Sequence, residues 1–98
     1  MTIPDYQTFM LPVLLSVKDG KEHHVQEIYN QIASSFNLSE DERNQKLPSG
    51  VQSTFDNRVG WAKTYLKKAG LVSTPSRGKV RITDRGLSVL KQNPSKID

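Results

Sequence analysis

The sequence contains no cysteine, which removes disulfides, thiolate nucleophiles and cysteine-ligated zinc or iron–sulfur sites together. Stability has to come from packing alone. No apolar run approaches the ~18 residues of a membrane-spanning helix, and Met1-Thr2-Ile3-Pro4-Asp5 lacks the basic-then-apolar layout of a secretion signal. A cytoplasmic protein without membrane contact is the expectation. Hydrophobic residues reach only 35% and aromatics 7%, yet charge of both signs at 24% and a net charge of only +4 do not describe a disordered chain. With 98 residues there is material for one small domain. Such a domain buries only about 60–70% of its unfolded surface, which leaves little room for a deep enclosed active site.

Charge is divided along the chain. Residues 1–49 hold four Lys/Arg against seven Asp/Glu, a net of −3, whereas residues 50–98 hold ten against three, a net of +7. From Arg58 to Lys91 there are nine basic residues and one acid, Asp84. A one-sided positive field suits a polyanion, although a charge run is also what a merely solvated surface looks like.

Tyr6, Phe9, Met10, Val13, Leu14 and Val17 form an apolar stripe at helical spacing, with Pro4 expected in the first turn, Pro12 as an internal kink and Asp19-Gly20 as the stop. Val25, Ile28, Ile32, Ala33 and Phe36 repeat the spacing after the extended stretch Glu22-His23-His24, so a second helix is expected over 25–36. Ser39-Glu40-Asp41-Glu42 reads as a capping box opening a short acidic helix, closed by Pro48-Ser49-Gly50. Ser53 opens the third main helix, whose stripe is Phe55, Val59, Ala62, Leu66 and Ala69 and whose end is Lys67-Lys68 followed by Gly70 in the left-handed cap. Two short β-runs, 71–74 and 79–82, flank Pro75-Ser76-Arg77-Gly78, with Val80 and Ile82 inward and Lys79 and Arg81 outward. Thr83-Asp84 caps a final helix through Val89, Leu90 and Lys91 that Pro94 stops, and residues 93–98 read as a linker or frayed tail after a domain over 1–92. Three helices followed by a basic hairpin make a mostly α, α+β fold in the layout of a winged helix-turn-helix.

With its stripe buried, the third main helix turns outward Gln52, Ser53, Thr54, Asn57, Arg58 and Trp61 near its start. Asn and Gln can pair with adenine edges, Arg with guanine, and small hydroxyls with phosphate oxygens. The competing reading is that Asn57 and Arg58 tie this helix to a neighbour. Trp61 is expected to pack rather than to stack on a base, since a lone tryptophan in a small domain usually has most of its area buried. Gly60 costs about 1 kcal/mol in mid-helix, which close approach of another backbone would explain. Lys63, Arg77, Lys79 and Arg81, joined by Lys67 and Lys68, would make a backbone-binding track. Six phosphate contacts would give a log–log salt slope of roughly −5.

No metal or other cofactor is expected. His23 and His24 are adjacent in extended chain, point to opposite faces and have no third ligand nearby in sequence. Pro4-Asp5 followed by Asp19-Gly20-Lys21 spells the acid, acid and lysine of a metal-dependent nuclease, but an amphipathic helix separates the acids and Asp19-Gly20 is its stop signal. No Gly-rich phosphate loop is present, and nothing arranges Ser and His as nucleophile and base. The chain does not read as an enzyme.

The stretch Phe55-Asp56-Asn57-Arg58-Val59-Gly60-Trp61-Ala62-Lys63-Thr64-Tyr65-Leu66-Lys67-Lys68-Ala69-Gly70-Leu71 resembles the N-terminal domain of Mrr-type restriction endonucleases. Ile3-Pro4-Asp5-Tyr6, Asp19-Gly20-Lys21-Glu22-His23, Leu47-Pro48-Ser49-Gly50, Arg77-Gly78 and Ile82-Thr83-Asp84-Arg85-Gly86 extend the resemblance over nearly the whole chain. The resemblance departs at His24, where relatives often have a serine or other small polar start to the second helix, so the departure bears on where that helix begins and not on the fold. The resemblance implies a winged-helix module binding double-stranded DNA, methylated or not, that precedes a metal-dependent nuclease domain lying outside these 98 residues. It also implies that Asn57, Arg58 and Trp61 belong to the recognition helix. Two alternatives stay open: a winged-helix interaction or dimerisation module meeting a partner through Val72, Tyr65 or Trp61, and a small transcriptional regulator.

Overall fold

In the computed structural model, which describes residues 3–46, 50, 52–92 and 97, the first apolar stripe folds into α1 (Tyr6–Ser16), with Pro12 inside it. Its cap is Asp5, whose carboxylate accepts from the Thr8 N–H at 3.1 Å. Pro4 therefore lies just before the helix rather than in its first turn. The chain continues through β1 (His23–His24), α2 (Val25–Ser35), α3 (Glu40–Asn44), α4 (Thr54–Lys68), β2 (Val72–Ser73), β3 (Lys79–Ile82) and α5 (Asp84–Lys91). His24 caps α2: its Nδ1 accepts from the Gln26 N–H at 3.1 Å. At α3 the capping box is complete, with Ser39 Oγ accepting from the Glu42 N–H and Glu42 Oε1 accepting from the Ser39 N–H. That backbone N–H, the larger cause, holds the Glu42 carboxyl below its ordinary pKa.

The fold is mostly helical with a three-stranded antiparallel sheet in the order β1-β3-β2. His23 pairs with Val80 on one side of β3, and Val72 with Ile82 on the other. The hairpin is apolar inside, as its alternation predicts: Val80 and Ile82 are buried while Arg81 is exposed. Phe9, Val13, Leu14 and Val17 of the first stripe meet Phe55, Val59, Ala62 and Leu66 of α4, all with no or almost no exposure. The α1 and α4 helices form the central packed pair. Phe9 sits edge-on to Phe36 and Phe55 at ring distances of 5.1 and 5.5 Å, a geometry that aromatic quadrupoles favour. Ala69, expected in the stripe, is exposed at the end of α4, where Gly70 turns the chain away with φ of +78°.

The α5 helix is bolted to the hairpin. Thr83 donates its N–H to the Leu71 carbonyl at 3.0 Å and its hydroxyl to the Gly70 carbonyl at 2.6 Å. The same hydroxyl accepts from the Gly86 N–H at 3.1 Å. Gly86 packs so closely that a methyl group there would overlap the Leu71 carbonyl oxygen. Ile97, from the segment read as a polar tail, is buried among the core residues at 7% exposure. The expected breaks at Pro48-Ser49 and Pro94, and the remainder of 93–98, lie outside the described residues.

Candidate nucleic-acid interface

Every fourth or third residue of α4 faces the core, so the opposite face is dictated by the same period. That face carries Asn57, Gly60, Trp61, Thr64 and Lys68, half-buried or exposed. Ser53 caps the helix, its hydroxyl accepting from the Asp56 N–H at 3.1 Å. This leaves its oxygen committed to the helix start. Gln52 and Asn57 are coupled, with Asn57 Nδ2 donating to Gln52 Oε1 at 3.3 Å. Gln52, Asn57, Gly60, Trp61 and Lys63 converge on one open cleft, joined by Tyr29 from α2 and by Thr64. Burial and then the charge of Asp56 push the Tyr29 hydroxyl above its ordinary pKa, so it stays a neutral donor at the cleft wall.

Three expectations for α4 need correction. Thr54 is not outward-facing: it is only 9% exposed, because the chain leaving α3 crosses it and the Gln45 carbonyl accepts its N–H at 2.7 Å. Trp61 does not pack inside. It is 49% exposed, since it lies opposite a core already filled by Phe9 and Phe55. Gly60 meets no backbone; the nearest atom to a methyl placed there would be the Tyr29 hydroxyl oxygen at 3.6 Å, an ordinary contact.

Arg58 sits on the flank of α4 toward α1. Its Nη1 donates to the carbonyls of Ile3 and Pro4, the latter at 3.2 Å. The guanidinium thereby straps the N-terminal segment to α4, as the competing reading of that residue anticipates. Beside it runs an aromatic row: Tyr6 stacks on Tyr65 at 4.8 Å, and Tyr65 lies 6.0 Å from Trp61. Lys68 Nζ sits 5.6 Å from the Tyr65 ring centroid, a cation–π distance. Val72, read as a partner contact, is only 2% exposed because it forms the inner face of the hairpin.

On the hairpin, Arg77 is exposed at the turn and Lys79 is half-buried on β3. Arg81 donates its Nε–H to the Gly20 carbonyl at 2.8 Å, which fixes β3 to the turn after α1. At the same corner His23 places Nε2 2.8 Å from Asp19 and Nδ1 3.0 Å from Glu27. The Asp19 bond and then the Glu27 bond raise the imidazole above its ordinary pKa. Asp19 is lowered, first by the Lys21 N–H and then by His23. The ring nitrogens point in opposite directions, so this trio cannot close on one cation. No group of three or more potential metal ligands forms among the described residues. Asp5 caps α1 and Asp19 belongs to this clasp, at opposite ends of α1.

Tyr29 and Thr64 were not among the residues singled out by sequence. Thr64 could have been, since it stands three residues after Trp61 and seven after Asn57 on one helical face. Tyr29 could not, because only tertiary packing brings α2 against that face.

No described helix is long and apolar enough to cross a membrane. No solved structure matches the chain significantly. A family model described as the Mrr N-terminal domain matches residues 6–92. The type IV methyl-directed restriction enzyme EcoKMrr of Escherichia coli (strain K12) is 34% identical over 95 residues, covering 96% of this chain but only 31% of that relative. The chain thus spans about a third of the curated relative it matches, and with the family model covering nearly its whole length it belongs to the Mrr N-terminal domain family.

Proposed function

We propose that this domain is a winged helix-turn-helix that binds double-stranded DNA and targets a restriction endonuclease of which it is the N-terminal part. The supporting observation is the outward face of α4. Amides, an indole, a hydroxyl and lysines are presented on a helix whose other face is core, beside a hairpin with basic groups outside. In the helix-turn-helix reading, α2 and α4 are the two helices and α3 lies in their connection. The pairing of β3 with β1, the strand between α1 and α2, ties the wing to that unit. The α4 helix would enter the major groove while Arg77, Lys79, Lys63 and Lys67 track phosphates. Methylated DNA as the target class comes from the relative, which is named methyl-directed. Catalysis would fall to the nuclease domain of the full-length protein.

Fluorescence anisotropy of the domain against a random-sequence 20-base-pair duplex at three salt concentrations tests this. Saturable binding with a log–log slope of roughly −3.6 is expected from these four phosphate contacts. The exposed pair Tyr65 and Trp61, continued by half-buried Tyr6, favours a second reading, an interaction or dimerisation surface. Apolar association would respond little to salt, and an absence of DNA binding at low salt would favour it.

A further inference from the structure

We infer that Trp61 is a specificity-determining residue that contacts the C5-methyl group of a pyrimidine in the major groove, beside an exocyclic amine accepted by Asn57. The inference rests on the DNA-binding reading above. Trp61 is the most exposed large apolar side chain on α4, at 49% against 39% for Tyr65. Tyr65 is held by stacking on Tyr6 and by Lys68 over its ring, whereas Trp61 borders the open cleft that Gly60 widens by having no side chain. The exposed indole offers apolar surface there that is complementary to a methyl group.

Asn57 stands one helical turn before Trp61, about 5–6 Å away between Cβ atoms. Its Nδ2 donates to Gln52 Oε1, so the group this carboxamide has left to accept with is Oδ1. In the major groove, adenine N6 and cytosine N4 are amino donors, while thymine O4 is an acceptor that would repel this oxygen. An acceptor and an apolar surface one turn apart therefore match an amine next to a methyl. Two sources carry that pair of groups: 5-methylcytosine, with both on one base, and an adenine whose paired or neighbouring thymine supplies the methyl. Lys63 at the cleft edge provides attraction without sequence preference.

The test begins by selecting tight-binding 20-base-pair duplexes from a random pool made with thymine and 5-methylcytosine. Each C5-methyl of the selected duplex is then removed singly, thymine to uracil or 5-methylcytosine to cytosine. One removal is expected to weaken binding about fourfold, the worth of one buried methyl, and which removal does so distinguishes the two sources. Trp61→Ala should bind both forms of that duplex equally, and Trp61→Phe should restore the difference. Melting temperature checks that both variants fold. If no methyl removal changes affinity while binding stays steeply salt-dependent, the inference is overturned and the DNA reading stands. The same holds if Trp61→Ala keeps the discrimination. If no duplex in the pool binds at low salt, the DNA reading itself fails.

Discussion

Substituting alanine for glycine at two helical positions should move stability in opposite directions, Gly60→Ala upward and Gly86→Ala downward. Both glycines lie inside helices, where alanine is favoured by about 1 kcal/mol. At Gly60 the added methyl would rest 3.6 Å from the Tyr29 hydroxyl and touch nothing else within 4 Å. Most of the intrinsic gain should therefore be realised, about 0.5–1 kcal/mol. At Gly86 the methyl would overlap the Leu71 carbonyl and come within 2.7 Å of Ile82 Cγ1. Overpacking of this kind costs about 1–3 kcal/mol, and the upper end applies because the obstructing group is backbone. The Leu71 carbonyl is also the acceptor for the Thr83 N–H, so pushing α5 outward weakens the Thr83 cap, about 1 kcal/mol more. After the helix-propensity gain, a net loss of about 3 kcal/mol remains. Urea unfolding followed by far-ultraviolet circular dichroism measures both changes, and thermal midpoints should shift by about 4–8 °C per kcal/mol. A neutral Gly86→Ala, or a Gly60→Ala variant that loses stability, would refute the packing described for these helices.

Arg58→Ala should lower stability by about 1–3 kcal/mol, since it leaves two carbonyls without a charged donor. The N-terminal segment should then be cut earlier in limited proteolysis; an unchanged unfolding midpoint would contradict the strap. The clasp of Asp19, His23 and Glu27 predicts a pH dependence. His23 is raised by its bonds, so its contribution is complete below its ordinary value of about 6.5 and disappears as pH rises through the raised value. Asp19 is lowered, so its share is present above its ordinary value of 3.8 and disappears as pH falls through the lowered one. The stability difference between the natural sequence and His23→Gln should be full below pH 6.5 and shrink as pH rises above it, through the raised value of the imidazole. A difference constant from pH 5 to 9 would argue against the clasp.

Local spacing in the chain was sufficient for every helix and for the hairpin, because a stripe at period 3.6 and an alternation at period 2 survive in any fold that buries them. Phe55, Val59, Ala62 and Leu66 specify both the core face of α4 and, by exclusion, its outward face. The Ser39 and Thr83 caps were legible for the same reason, their bonds closing within three residues. Family membership was legible in the run around Asn57-Arg58-Val59-Gly60-Trp61-Ala62. What sequence alone left undecided depends on contacts distant along the chain. Arg58 finds acceptors 54 and 55 residues away, and Thr54 is covered by the chain from α3. Trp61 is exposed because other aromatic rings occupy the core. Gly86 requires its hydrogen because Leu71 passes across it, while Gly60 requires nothing of the kind. Periodicity determines which face of an element is apolar; only tertiary packing determines which neighbour covers it and which side chains are left free to meet a partner.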